Sequence, residues 1–234
     1  MPMLTLKLSE GFSTKLVSLR VLSPLEARVL GVLVEKQHTV ADSYPLSLNA
    51  LLMGCNQKTA RDPVIGATEA ELLVALDSLK ALSLVVEVSG SRVSRYEHNL
   101  KRVLGVPSQS VALLTLLMLR GPQTAAELRA TTERLHHFTD ISSVEGFLDE
   151  LAAREPALVV KLPRAPGARE QRWAHLLCGP VDTTVAAAQT GPDDFVAAGE
   201  MAALKAEQAR LAAELEALRG MVMRMARELG IDPA

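Results

Sequence analysis

Aromatic residues are nearly absent: one Trp, two Tyr and four Phe among 234 residues, or 3% of the chain. With 48% of the chain hydrophobic, the cores must be built mainly from Leu, Val and Ala. Cysteine is as scarce. Cys55 and Cys178 stand alone and form no CxxC, which excludes a disulfide scaffold and reads as two reduced thiols in a cytosolic protein. No apolar run approaches the roughly 20 residues that a membrane span needs, the longest being Val111–Leu119. The N-terminus carries Lys7 and Lys15 without a continuous apolar block, so no secretory signal and no membrane association are expected. The expected compartment is the cytoplasm.

A large charge of one sign is also missing. Net charge is −2. Residues 1–105 carry 12 Lys/Arg against 10 Asp/Glu, residues 106–181 carry 8 against 8, and residues 182–234 carry 5 against 9. No segment has the basic excess of a general nucleic-acid binder. There is no phosphate-cradling glycine loop. His136-His137 lacks a third ligand, and adjacent residues do not share a helical face. Cys55 with His98 lacks an oriented third group and an oxyanion motif. No cofactor, no metal and no catalysis are expected.

What is present is a duplication. Leu84–His98 reads LVVEVSGSRVSRYEH and Leu158–His175 reads LVVKLPRAPGAREQRWAH. Each opens on Leu-Val-Val, crosses a turn-rich gap and closes on Arg-aromatic-x-His. Each follows a helical segment, ELLVALDSL at Glu71–Leu79 or SVEGFLDEL at Ser143–Leu151. A period near 75 residues is too long for a solenoid and fits one small domain present twice.

Capping signals place the helices. Ser23-Pro24-Leu25-Glu26 is a capping box with proline at the first helical position, and Leu25, Val29, Val32 and Leu33 follow on one face. A second helix is expected from about Ser47 to Cys55. A third opens on the box Thr68…Glu71 and runs through Leu72, Leu76 and Leu79. In the second copy the helices are expected at Gln109–Leu119, after Thr124…Glu127, and after Ser142…Glu145. Hairpins close both copies. Three helices and a two-stranded hairpin is the order of a winged helix, with one three-helix core per copy.

Residues 182–199 read as a linker. Beyond them Met201, Leu204, Gln208, Leu211, Leu215, Leu218, Val222, Met225 and Leu229 are spaced alternately by three and four, a heptad seam. Glu214 and Arg219 fall where they can pair between parallel helices. A homodimer through Leu204, Gln208, Leu211, Leu215, Leu218, Val222 and Met225 is expected. The other reading is an amphipathic helix packed on its own domain.

The segment EARVLGVLVEKQHTVADSYPLSLNALLMGCNQKTARDPV at Glu26–Val64, with GSRVSRYEH at Gly90–His98, closely resembles the YceH family of uncharacterised bacterial proteins. The resemblance covers roughly Leu22–Pro180. Val40-Ala41 departs from the family's usual threonine-proline. The resemblance implies two tandem winged helices, often with a coiled-coil tail, and it implies no activity. The expected architecture is mainly α with small β-hairpins (α+β). It has an extension at 1–21, winged-helix domains at 22–105 and 106–181, a linker at 182–199 and a coiled-coil helix at 200–230.

The candidate contact residues are all polar. Asn56, Gln57, Lys58 and Arg61 lie on the loop after the second helix and offer amide and cationic donors suited to phosphate or base edges. They could equally cap that helix and tie down its neighbours. Arg92 and Arg95 in the first hairpin, and Arg164, Arg169 and Arg172 in the second, could track a DNA backbone or be ordinary strand charge. Tyr96 and Trp173 are expected in the core. The third helices carry Glu69, Glu71 and Asp77 against Lys80, and Glu145, Asp149, Glu150 and Glu155 against Arg154, a poor balance for entering a groove between phosphates. Two functions compete: a dimeric DNA-binding regulator acting through wings and loop, and a protein-interaction adaptor. A continuous positive surface favours the first. An exposed apolar patch or acidic third helices favour the second.

Overall fold

The computed structural model describes residues 20–88, 93–164 and 167–181. Among them lie seven α-helices and two small antiparallel sheets.

The first half opens with α1, Pro24–Thr39. Its N-terminus is the expected capping box, with the Ser23 hydroxyl accepting from the Glu26 N–H and Glu26 accepting from the Ser23 N–H. A short strand β1, Leu46–Ser47, leads into α2, Leu48–Cys55. The helix α3, Glu69–Ala81, starts at the Thr68–Glu71 box. Strands β2, Val85–Val88, and β3, Arg95–His98, form the hairpin. The sheet order is β1-β3-β2, with Tyr96 opposite both Leu46 and Glu87.

A helix that the sequence reading missed, α4 at Leu100–Leu104, leads to α5, Ser108–Arg120. Then come α6, Ala125–Thr132, on the Thr124–Glu127 box, and α7, Ile141–Ala152. Strands β4, Val159–Lys161, and β5, Trp173–His175, close the second half. The start of α7 is a correction. Its cap is Asp140, whose carboxylate accepts from the Ser143 N–H at 2.7 Å, rather than Ser142. Asp caps as well as Ser and adds a negative charge at the positive end of the helix.

Tyr96 and Trp173 are buried, at 5% and 2% exposure, as their repeated position implied. The expectation of one separate core per half is not met. The buried Leu and Val residues of α1, α3, α5 and α7 form one continuous cluster. The join is α1 against α5. Gly31 makes this approach possible, since a Cβ there would meet Leu119 Cδ2 at 2.8 Å. α5 is buried nearly all round, from Ser110 to Leu119, because it faces its own half and α1 at once. Each fully buried Leu contributes about 1.5–3 kcal/mol, so this seam matters to the stability of both halves.

Backbone bonds stitch the same join. Leu22 N–H donates to Leu177 O at 2.8 Å, and Asp62 N–H to Leu119 O at 2.8 Å. Arg154 donates to Leu104 O at 2.8 Å. No helix among the described residues is long and apolar enough to cross a membrane.

Candidate interaction surfaces

α3 packs inward through Leu72, Ala75, Leu76 and Leu79. Its opposite side, Ala70, Leu73, Val74, Asp77 and Ala81, is exposed at the spacing of one helical stripe. Val74 is 72% exposed and Leu73 40%. Apart from Asp77 this second side is also apolar, and it has nothing over it among the described residues. Carboxylates border it: Glu69 in the first turn, and Asp77, which with Glu87 holds Lys80 at 2.9 and 3.0 Å. α7 is different. Its exposed positions are Ile141, Ser142, Glu145, Gly146, Asp149 and Glu150, a mainly acidic face.

A cleft of about 260 Å³ lies between the start of α7 and the β4–β5 hairpin. Its walls include Ile141 and Glu145 of α7, Lys161 of β4, Arg164, Arg169, Glu170 and Gln171 of the hairpin connection, and Trp173. The Lys161 ammonium sits 5.1 Å from the Trp173 ring centre, a cation–π distance. No hydrogen bond or ion pair among the described residues engages the charged ends of Lys161, Arg164, Arg169, Glu145 or Glu170. Gln171 is tied by its amide to Leu162 O at 3.0 Å.

The candidate loop after α2 is mostly committed to holding itself. Asn56 accepts from Ala67 N–H and donates to Ala67 O, both at 2.8 Å, closing the loop across eleven residues. The Gln57 amide donates to Thr59 O at 2.9 Å. Arg61 is the clearest correction. Its side chain is fully buried and grips both Glu35 carboxylate oxygens, at 3.0 and 2.5 Å, as well as the Gly54 and Ala60 carbonyls. Despite the burial that would raise it, the Glu35 carboxyl is held below its usual range by the Arg61 guanidinium. Arg61 is thus a buried structural anchor, with four of its five N–H groups bonded within the fold. Lys58 alone of the four is exposed.

The hairpin arginines divide. Arg95 donates to Pro45 O at 2.8 Å, and Arg172 to Pro122 O at 2.8 Å and to Glu127 at 3.1 Å. Both fasten a hairpin to the loop before a second helix. Arg164 and Arg169 are exposed and open on the cleft. Arg92 and the heptad positions Leu204, Gln208, Leu211, Leu215, Leu218, Val222 and Met225 lie outside the described residues.

Two features escaped the sequence reading. Lys161 was visible in the duplication itself: Leu-Val-Val is followed by Glu87 in one copy and Lys161 in the other, a reversal of charge at matched positions. The outer stripe of α3 was hidden because Leu73 and Val74 stand among core leucines, and composition does not say which face they occupy.

The buried thiol Cys55 is not a nucleophile partner of His98. Burial pushes its pKa up to about 12, which favours the protonated thiol, and the His98 ring is engaged with Gln37 at 2.8 Å. Among the described residues no group of three or more His, Cys, Asp or Glu side chains could hold a metal ion.

A family model described as "Protein of unknown function, DUF480" matches residues 22–168, more than half of the chain. The chain belongs to the DUF480 family. A UPF0502 protein of Methylibium petroleiphilum is 73% identical over 216 residues, covering 92% of this chain and 93% of that protein. UPF0502 proteins of Burkholderia multivorans and Burkholderia lata are 68% and 66% identical, each aligned over 92% of both chains. The DUF480 match spans α1 to the hairpin connection, so it takes in both the α3 stripe and the Arg164 side of the cleft.

Proposed function

We propose that this DUF480 chain is a non-enzymatic interaction protein of two tandem winged-helix domains, 22–105 and 106–181. A coiled-coil helix at 200–230 joins two copies, and the chain holds a protein partner against α3. The observation that carries this is the outward exposure of Leu73 and Val74 on a helix whose inner face is already buried. A surface gains nothing by displaying two large aliphatic side chains side by side on a helix, whereas covering the area still exposed stabilises by at most about 1.5–3 kcal/mol at Val74 and less at Leu73. The carboxylates Glu69, Asp77 and Glu87 around the stripe fit a partner segment that is amphipathic and basic: an apolar face for Val74 and Leu73, with lysines or arginines at its margins. The same carboxylates repel a DNA groove, which would bring phosphates along both sides of the helix.

The experiment is affinity capture with the full chain and with Val74→Asp. The expected result is one polypeptide held by the wild type, insensitive to nuclease and lost with Val74→Asp. Capture that survives the substitution, or that nuclease abolishes, overturns the proposal.

A second reading, nucleic-acid binding, draws on one observation. Lys161, Arg164 and Arg169 line the cleft at the second hairpin without an acidic ion-pair partner among the described residues. Fluorescence anisotropy on mixed duplex fragments at low salt, where electrostatics is least screened, tests it. Salt-sensitive binding that Arg164→Ala/Arg169→Ala weakens supports this reading, and no binding removes it.

A further inference from the structure

We propose that the cleft between α7 and the β4–β5 hairpin is a binding site for the phosphomonoester group of a small hydroxylated molecule. This goes beyond the α3 docking face and does not depend on it. Three cations, Lys161, Arg164 and Arg169, line one cavity of about 260 Å³ and reach it from three places in the chain: strand β4, the residues just after it, and the residues before β5. Cations brought together repel one another unless an anion sits among them.

Among the described residues no carboxylate pairs with them. Glu145 and Glu170 line the same cleft, yet neither lies within ion-pair distance of any of the three. The first half shows what a satisfied arrangement looks like. There the residue matched to Lys161 is Glu87, and it bonds Lys80 at 3.0 Å within the fold. In the second half the sign is reversed and the charges are left open.

The chemistry of the donors selects the ligand. Two guanidiniums and an ammonium offer more N–H groups than the two oxygens of a carboxylate can use. A phosphomonoester presents three terminal oxygens and close to two negative charges, and guanidinium forks fit them bidentately. The two carboxylates then act as acceptors for hydroxyl groups on the remainder of the ligand. They also disfavour a polyanion, since a nucleic-acid strand would bring further phosphates toward Glu145 and Glu170. The volume suits a molecule of the size of a pentose phosphate rather than a dinucleotide. Trp173 is buried and braces Lys161 rather than offering a stacking face.

The test is isothermal titration calorimetry on the full chain with four probes: ribose 5-phosphate, inorganic phosphate, ribose, and a single-stranded 12-nucleotide DNA without a terminal phosphate. Saturable one-to-one binding of ribose 5-phosphate is expected, with inorganic phosphate weaker and ribose silent. Arg164→Ala and Arg169→Ala, both exposed and so harmless to folding, each weaken ribose 5-phosphate by about tenfold or more. Glu145→Gln strengthens inorganic phosphate, because it removes a repelling charge. Three results overturn the assignment: no saturable heat with either phosphate at millimolar concentration, binding unchanged in both arginine variants, or an oligonucleotide that binds more tightly than ribose 5-phosphate. The last would transfer the cleft to the nucleic-acid reading.

Discussion

The Arg95 guanidinium donates to the Pro45 carbonyl at 2.8 Å, across fifty residues of chain. The second half repeats it with the same separation, Arg172 to Pro122. Beside each arginine the aromatic residue pairs with the residue after the proline: Tyr96 with Leu46, and Trp173 with Gln123. The residue after that, Ser47 or Thr124, caps the second helix. A duplicated tetrapeptide in the sequence is thus a duplicated clamp in the fold, anchoring hairpin to helix-turn.

These clamps are structural, so Arg95→Ala and Arg172→Ala should each cost about 1–3 kcal/mol, the usual loss for a hydrogen bond made by a charged donor. Urea denaturation at neutral pH measures it. Arg172→Ala should also leave phosphate binding in the cleft intact, which separates it from Arg169→Ala.

Arg61→Met should be the most damaging of the loop substitutions. It leaves the half-enclosed Glu35 with only the longer Lys36 contact, at 3.5 Å, and strips donors from the Gly54 and Ala60 carbonyls. Removing one side of a fully buried pair costs about 3–5 kcal/mol, an upper bound here because Lys36 and partial exposure relieve Glu35. Lys58→Ala, on the same loop but exposed, should change the denaturation midpoint little. Equal effects of the two would contradict the assigned roles.

The matched histidines set a pH response. Burial lowers His98, with a smaller contribution from His38, to about 4, and burial alone lowers His175 to about 4. The His175 Nδ1 is buried without a partner. The unfolded value is about 6.5. Between those limits the unfolded chain binds more protons than the folded one, so stability rises with pH across the window. It is fully present above pH about 6.5 and is lost as pH falls toward 4. Melting temperature should therefore drop from pH 7 to pH 5, and His98→Gln/His175→Gln should flatten that drop.

Assembly is tested at the heptad seam, which lies outside the described residues. Leu211→Asp with Leu215→Asp places charge where two helices would bury it, and burial of an unpaired charge is strongly unfavourable. Light scattering should find a dimer for the wild type and a monomer for the variant. An unchanged mass would remove the seam as the contact.

Much of the fold was legible in the sequence because it is written in short-range signals. Capping boxes at Ser23, Thr68 and Thr124 mark helix starts, and the repeated Leu-Val-Val and Arg-aromatic-x-His mark the hairpins. What stayed illegible depends on long-range packing. α5 reads as the first helix of a separate half, yet it is buried all round because Gly31 admits it against α1. Arg61 looks like a surface cation until Glu35, twenty-six residues away, is brought to it. Leu73 and Val74 look like core until Leu72 and Leu76 take the inner face. The cleft cations Arg164 and Arg169 were found as charges, but their convergence with Lys161 required the hairpin to fold over α7.

The proposal that α3 is a protein-docking face is tested most directly by placing a photo-crosslinking amino acid at position 74 of the full chain in cells, with position 134, exposed in the turn after α6, as control. A discrete, protease-sensitive and nuclease-resistant adduct is expected at 74, absent at 134 and lost when Leu73 is changed to Asp in the same chain. No adduct at 74, or one that nuclease removes, would contradict it.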